Sequence, residues 1–303
     1  MALAVCAAEV GVESARHWKI LTPYRLWIIG EEDRSMRVVS WNIRRAASTG
    51  PKQHAWSYLT ALEPDLLLLQ EVGAIPESFR DQYTALHQVA IGRTGRPQRF
   101  GSALLVRHGP LTKVTLLAPL TWVNDELARL GGFVLAGQAN VVGAQTVVVS
   151  VHSPAWYLDR ARLSLVDVGD VRLTQNADVW VADLVLAAIR PLVAESRQVL
   201  VGGDFNLSPT FDAWRRGGRG NQEYLDRMAT LGMVECLASF QGRLTPTFRN
   251  PRGGRVIHQI DHLFASSKLA QHLRWCDVPP TGEFFQRGLS DHLPIIADFR
   301  SSM

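Results

Sequence analysis

The stretch Val199–Pro209, VLVGGDFNLSP, decides how this chain reads. Val199 to Val201 form an apolar run of the kind that a strand buries on both faces. The pair Gly202-Gly203 lets the backbone turn tightly or pass close to another group. Asp204 and Asn206 lie two apart, so on an extended backbone both side chains point to one face. An acid and an amide at a strand mouth suit general-base and phosphate-holding work. The same residues also fit an Asx-type turn after a strand.

The rest of the chain repeats this pattern. From Met36 the order is strand, helix, strand: MRVVSWNIRR, then HAWSYLTAL at 54–62, then the continuous apolar run LLLLQEV at 66–72. Residues 92–99, GRTGRPQR, read as a basic loop before a strand at 101–107. Further strands are expected near 114–117, at 133–142 and at 145–154. Residues 156–172 read as a surface segment holding Trp156 and Tyr157, each able to stack on a ligand or pack in the protein. The segment 174–197 reads as a helix capped by Thr174 or Asn176 and kinked or ended by Pro191. A helix over 222–231 and a strand entered at Ile257 follow, and the chain closes with a strand after LSDHLP. Alternating strands and helices favour an α/β class.

Composition narrows the choices. The 303 residues carry 47% hydrophobic and 20% charged side chains, which fits a well-buried globule. Net charge is +4, and arginine supplies nearly all of the positive excess, a balance compatible with a phosphate-bearing partner or with genome composition. Cys6, Cys236 and Cys276 are scattered, which argues against a disulfide framework and fits a reducing compartment. No apolar run is long enough to span a membrane and no basic leader precedes the short apolar start, so a cytoplasmic protein is expected. Residues 1–35 lack strand alternation and read as an extension outside the core fold, or as a surface helix. Residues 36–303 read as one domain, with no linker or repeat, and a monomer is expected.

Strand ends or entries carry Asn42, Glu71, His152, Asp204 with Asn206, and the pair Asp261 and His292. Each alone also fits a turn, a strand cap or a solvated end. Together they allow one chemistry. Glu71, Asp291 and Asn42 are hard oxygen donors that suit Mg2+ or Mn2+. Asp261 can orient His292 and hold its charged form. Phosphate-ester cleavage needs an activated water, a cation and a neutralised leaving oxygen.

The segments SWNIR (40–44), LLLLQEV (66–72), SVHSP (150–154), GGDFNLSP (202–209), QIDHLF (259–264) and SDHLP (290–294) resemble the endonuclease/exonuclease/phosphatase superfamily. The resemblance spans residues 36–299 and implies two packed mixed β-sheets flanked by helices, a four-layer α/β/β/α sandwich with its active site at one edge. It implies a divalent metal, Mg2+ or Mn2+, on Asn42, Glu71 and Asp291. Asp204 would activate or orient water and Asn206 would hold the scissile phosphate. Asp261 would pair with His292, as transition-state stabiliser or base, and His152 would stabilise or protonate the leaving side. His152 stands where the AP-endonuclease branch has tyrosine, so the chain looks more like the deoxyribonuclease and sphingomyelinase side. Arg44 would then face the substrate or be a surface charge. Gln98 stands where that deoxyribonuclease has a glutamate paired to its histidine. The implied activity is phosphodiester hydrolysis, with nucleic acid as substrate and a phosphatase or phospholipid phosphodiesterase as the alternative. A non-catalytic binding module on the same scaffold would lack one of these acids or histidines, and all are present.

Overall fold

The computed structural model describes residues 35–46, 54–213 and 220–300. The proposed extension up to Arg34 and the arginine-glycine loop with Arg215, Arg216 and Arg219 lie outside the described residues.

In chain order the first half comprises β1 (Ser35–Asn42), α1 (His54–Leu62), β2 (Leu66–Val72), α2 (Glu77–Arg80), β3 (Thr84–Ile91), β4 (Pro97–Val106), β5 (Thr112–Val114), α3 (Thr121–Arg129), β6 (Val134–Val141) and β7 (Ala144–His152). Then come α4 (Arg160–Leu163), α5 (Val181–Ala194), β8 (Gln198–Asp204), α6 (Pro209–Asp212), α7 (Asn221–Thr230), β9 (Met233–Glu235) and α8 (Cys236–Gln241). The chain ends with β10 (Phe248–Arg249), β11 (Val256–His258), β12 (Asp261–Ser266), α9 (Ser267–Ala270), β13 (Leu273–Asp277), α10 (Thr281–Gln286) and β14 (Ile295–Arg300).

Two six-stranded sheets result, ordered β13-β14-β1-β2-β4-β3 and β5-β6-β7-β8-β12-β9. Both are mixed: β1 and β2 run parallel, as do β7 and β8, while the other pairs are antiparallel.

The apolar strands are continuous because each is buried twice. Val38, Leu66 and Leu68 face Val148, Leu200 and Leu263 between the sheets. Their neighbours Val39, Leu67 and Leu69 turn outward onto Trp56, Leu59 and Phe284 of α1 and α10. On the second sheet Val149, Val199 and Val201 turn outward onto Leu184, Val185 and Ala188 of α5. Period-two alternation therefore fills three apolar layers and gives the four-layer sandwich.

The sheets draw close near one end. A Cβ on Gly202 would meet Leu263 Cδ1 and Ser40 Oγ, both at 2.9 Å. Gly203 has φ +152°, and a Cβ there would collide with the Val151 carbonyl. Gln70 ties the sheets across this gap, donating to Ser150 Oγ at 3.0 Å, while Ser150 donates to the Leu69 carbonyl at 3.0 Å.

Some local expectations need correction. The basic segment at 92–99 is the tip of a hairpin, because β4 already pairs from Pro97 with Ile91. Helix α5 starts at Val181, not after Thr174 or Asn176; Asp183 accepts the Trp180 N–H at 2.8 Å and caps it. Pro191 does not end the helix, which runs on to Ala194. The strand entered near Ile257 is two strands, β11 and β12, broken at Gln259 and Ile260. Among the described residues no helix is long and apolar enough to cross a membrane.

Candidate active site

Strand register assembles the centre. His152 on β7 is paired with Asp204 on β8, and Asp204 with Asp261 on β12, so three candidate side chains stand in a row across one sheet. Asn42 and Glu71 reach the row from the facing sheet, at the ends of the parallel pair β1 and β2. Glu71 has φ +51°, and the β2–β4 register breaks there, which turns its carboxylate off the strand.

Asp204 is the hub. Its Oδ2 accepts the Asn42 amide at 3.1 Å and the Asn206 amide at 3.3 Å, and its Oδ1 accepts the Asn206 backbone N–H at 3.0 Å. The last bond is the Asx turn, so the turn and the site are the same structure. Asn206 has φ +50°, a left-handed conformation that asparagine tolerates, and its amide also donates to the Ser153 carbonyl at 2.8 Å. His292 Nε2 lies 3.8 Å and His152 Nε2 3.9 Å from Asp204 Oδ2. Those separations are too long for direct hydrogen bonds and fit a bridging water or phosphoryl oxygen.

His292 Nδ1 contacts both oxygens of Asp261 at 3.0 Å. Thr247, which the sequence reading missed, donates to Asp261 Oδ2 at 2.7 Å and accepts the Asp261 N–H at 3.1 Å. The histidine's own loop is pinned from β1: Ser290 donates to the Asn42 carbonyl at 2.7 Å, and Trp41 Nε1 donates to the His292 carbonyl at 2.8 Å.

These surroundings split the two histidines. Burial would lower the pKa of His292, but Asp261 and Asp204 outweigh it and lift the pKa to about 10, so the imidazolium persists. Burial drops His152 to about 3, helped by His292 and Arg45, so this ring is neutral. No side-chain hydrogen bond reaches it from the described residues; Phe100 and Phe133 flank it at 5.7 and 5.4 Å. Gln98 turns away to the Arg96 carbonyl. Burial also raises Asp204, with Asp261 adding to it against His292 and the two amides.

Asn42 donates its side-chain N–H to Glu71 Oε1 at 3.5 Å, while its Oδ1 accepts the Arg44 backbone N–H at 3.0 Å. Arg44 Nε is 3.5 Å from Asp291 Oδ2, and Arg45 Nε is 3.5 Å from Glu71 Oε2. At that range the arginines leave the carboxylates' lone pairs available, and two acids with one amide fit a hard divalent cation. Asp204, Asp261 and His292 form a second group, with ligand atoms within 4.8 Å of one another. Asp261 and His292 already satisfy each other, so that group is better suited to proton chemistry.

Of the remaining candidates, Arg44 has φ +48° and a side chain 57% exposed at the mouth. Trp156 packs edge-on against Phe133 at 5.8 Å, and Arg93 and Arg160 lie over the Tyr157 ring, so both half-buried aromatics have protein partners.

Known proteins share this fold. The family described as Endonuclease/Exonuclease/phosphatase family matches residues 39–292. An AP endonuclease from Archaeoglobus fulgidus is 17% identical, with TM-score 0.60 over 87% of this chain and 99% of that one. The 3′ phosphatase NExo from Neisseria, bound to a product DNA hairpin, gives 17%, 0.60, 87% and 99% in the same order. The AP endonuclease LMAP from Leishmania major gives 18%, 0.60, 89% and 89%. These three show the fold. No curated protein sequence matches the chain. With its motif residues gathered at one sandwich edge and the family match covering nearly the whole domain, this chain belongs to the Endonuclease/Exonuclease/phosphatase family of phosphoesterases.

Proposed function

We propose that the chain is a divalent-cation-dependent phosphodiesterase that hydrolyses nucleic acid with water as the nucleophile. The observation that carries this reading is the buried Asp204 carboxylate held between His152 and His292, each ring nitrogen just beyond hydrogen-bond range. Asn42, Glu71 and Asp291 would hold the cation, Mg2+ or Mn2+. When bound, it supplies Lewis-acid polarisation of a phosphoryl oxygen and neutralises developing charge.

The chain's own residues do the rest. Asp204 takes a proton from the attacking water as the water oxygen bonds to phosphorus and the bond to the leaving oxygen breaks. His292, held charged by Asp261, stabilises the phosphoryl oxygens and is not the base. His152 offers an N–H hydrogen bond to the leaving oxygen, which departs as the oxyanion and takes its proton from solvent. Asn206 gives its amide to the phosphate by exchanging the 3.3 Å contact with Asp204. Arg44, exposed at the mouth, contacts a flanking phosphate. Nucleic acid is favoured by the two arginines at that mouth and by the DNA-linked names of the structural relatives.

The test is hydrolysis of plasmid DNA, RNA, bis-p-nitrophenyl phosphate, p-nitrophenyl phosphate and sphingomyelin with Mg2+ or Mn2+. The reading requires diester cleavage that EDTA abolishes, with nucleic acid the best substrate. Preference for the monoester or for sphingomyelin refutes it.

A further inference from the structure

A cavity of about 350 Å3 opens beside Asn206, between α5, α7 and the loop that follows β8. Trp180, Phe205, Phe211 and Tyr224 supply aromatic walls, and Asp183 adds a carboxyl. Asn206 lines this cavity and also donates to Asp204, so the cavity adjoins the catalytic row. Its size and its mixture of apolar wall and few polar groups are those of a small-molecule site.

The polar groups are incompletely used. Among the described residues the Asp183 carboxylate, 1% exposed, receives one hydrogen bond, from the Trp180 N–H. The Trp180 indole N–H and the Tyr224 hydroxyl are buried without a partner, and Tyr224 is 0% exposed. Buried donors normally find acceptors, and their absence here points to a ligand that supplies them. Asp183 in turn offers an acceptor.

We propose that this cavity takes the nucleobase of the nucleotide whose phosphate lies at Asn206. The inference rests on the phosphodiesterase reading above. A base is flat enough to stack against aromatic walls and carries donors and acceptors along one edge. A trimethylammonium headgroup carries neither and leaves Trp180 and Tyr224 unpartnered. A bare sugar has no planar π face to match the aromatic walls.

The test uses the full chain as wild type, Tyr224→Phe and Ala182→Leu, the last filling the cavity from α5. Two oligonucleotides are compared, identical except that one has an abasic position where the other has a base. Wild type favours the base-bearing substrate in kcat/KM. Each variant reduces that preference by at least about tenfold, the scale of one buried hydrogen bond. Equal losses on both substrates, or an unchanged ratio, overturn the proposal. Direct binding of nucleoside monophosphates and of phosphocholine is followed by tryptophan fluorescence. Nucleoside monophosphate binding that weakens in Ala182→Leu supports the cavity even if no diester is hydrolysed, a result that defeats only the phosphodiesterase reading. Phosphocholine binding as tightly, or no nucleoside monophosphate binding, overturns the cavity assignment.

Discussion

Replacing Asp261 by Asn removes the charge that holds His292. The carboxylate contacts His292 Nδ1 through both oxygens at 3.0 Å, and both residues are buried. A hydrogen bond to a charged group contributes about 1.5–3 kcal/mol, and a buried charge left without its partner costs about 3–5 kcal/mol. A loss near 3 kcal/mol in the transition state is about two orders of magnitude in kcat/KM. The pH profile carries the diagnostic sign. Burial alone lowers the His292 pKa, and Asp261 is the largest influence raising it to about 10. Without that charge the pKa falls, so the imidazolium is lost at lower pH and the alkaline limb of activity moves toward neutrality. The assay is bis-p-nitrophenyl phosphate hydrolysis across about pH 6–10, a range chosen to bracket an ordinary histidine and the raised one. A variant of native thermal stability with a wild-type rate and an unmoved alkaline limb refutes the reasoning.

Thr247→Val deletes the 2.7 Å bond to Asp261 while keeping the side chain's shape, and kcat should fall by about tenfold with KM little changed in steady-state kinetics. Arg44→Ala, in an inactive Asp204→Asn background, should weaken DNA binding and reduce the slope of log Kd against log salt by about one, read by fluorescence anisotropy. Asp183 has a pKa raised to about 7, chiefly by burial. Its unfolded carboxyl ionises near the ordinary carboxylate value, so the folded state holds an extra proton between that value and pH 7, and stability falls as pH rises through this window. The loss is on the order of 4 kcal/mol, and denaturant titrations at both ends of the window should show a fall in stability that is smaller by about this amount in Asp183→Asn than in wild type.

The strands were legible because each apolar run is buried on two faces: 66–72 in the sequence is β2, and the buried run at 199–203 lies within β8. Their polar ends were legible for the same reason, since Glu71, His152 and Asp204 stand out against valine and leucine. Thr247 was not, because its partner Asp261 lies 14 residues away across a β10–β11 turn that no local pattern specifies. Asp183 and Tyr224 read as members of helices, and only the approach of α5 and α7 to the loop after β8 brings them to one cavity. The helix cap was misread because Thr174 and Asn176 are good capping residues in isolation. The chain instead remains irregular until Trp180, whose N–H Asp183 accepts. The opposite shifts of His152 and His292 were likewise beyond sequence, since burial governs the first ring and the carboxylates of Asp261 and Asp204 outweigh burial at the second.

The most direct measurement is the single-turnover rate of bis-p-nitrophenyl phosphate hydrolysis by wild type and Asp204→Asn at saturating Mg2+. Asp204 accepts both amides and faces both histidines, so its replacement should lower the rate by at least about a hundredfold while the fold, read by circular dichroism, is kept. A rate within a few-fold of wild type would contradict the assignment of Asp204 as the group that activates water.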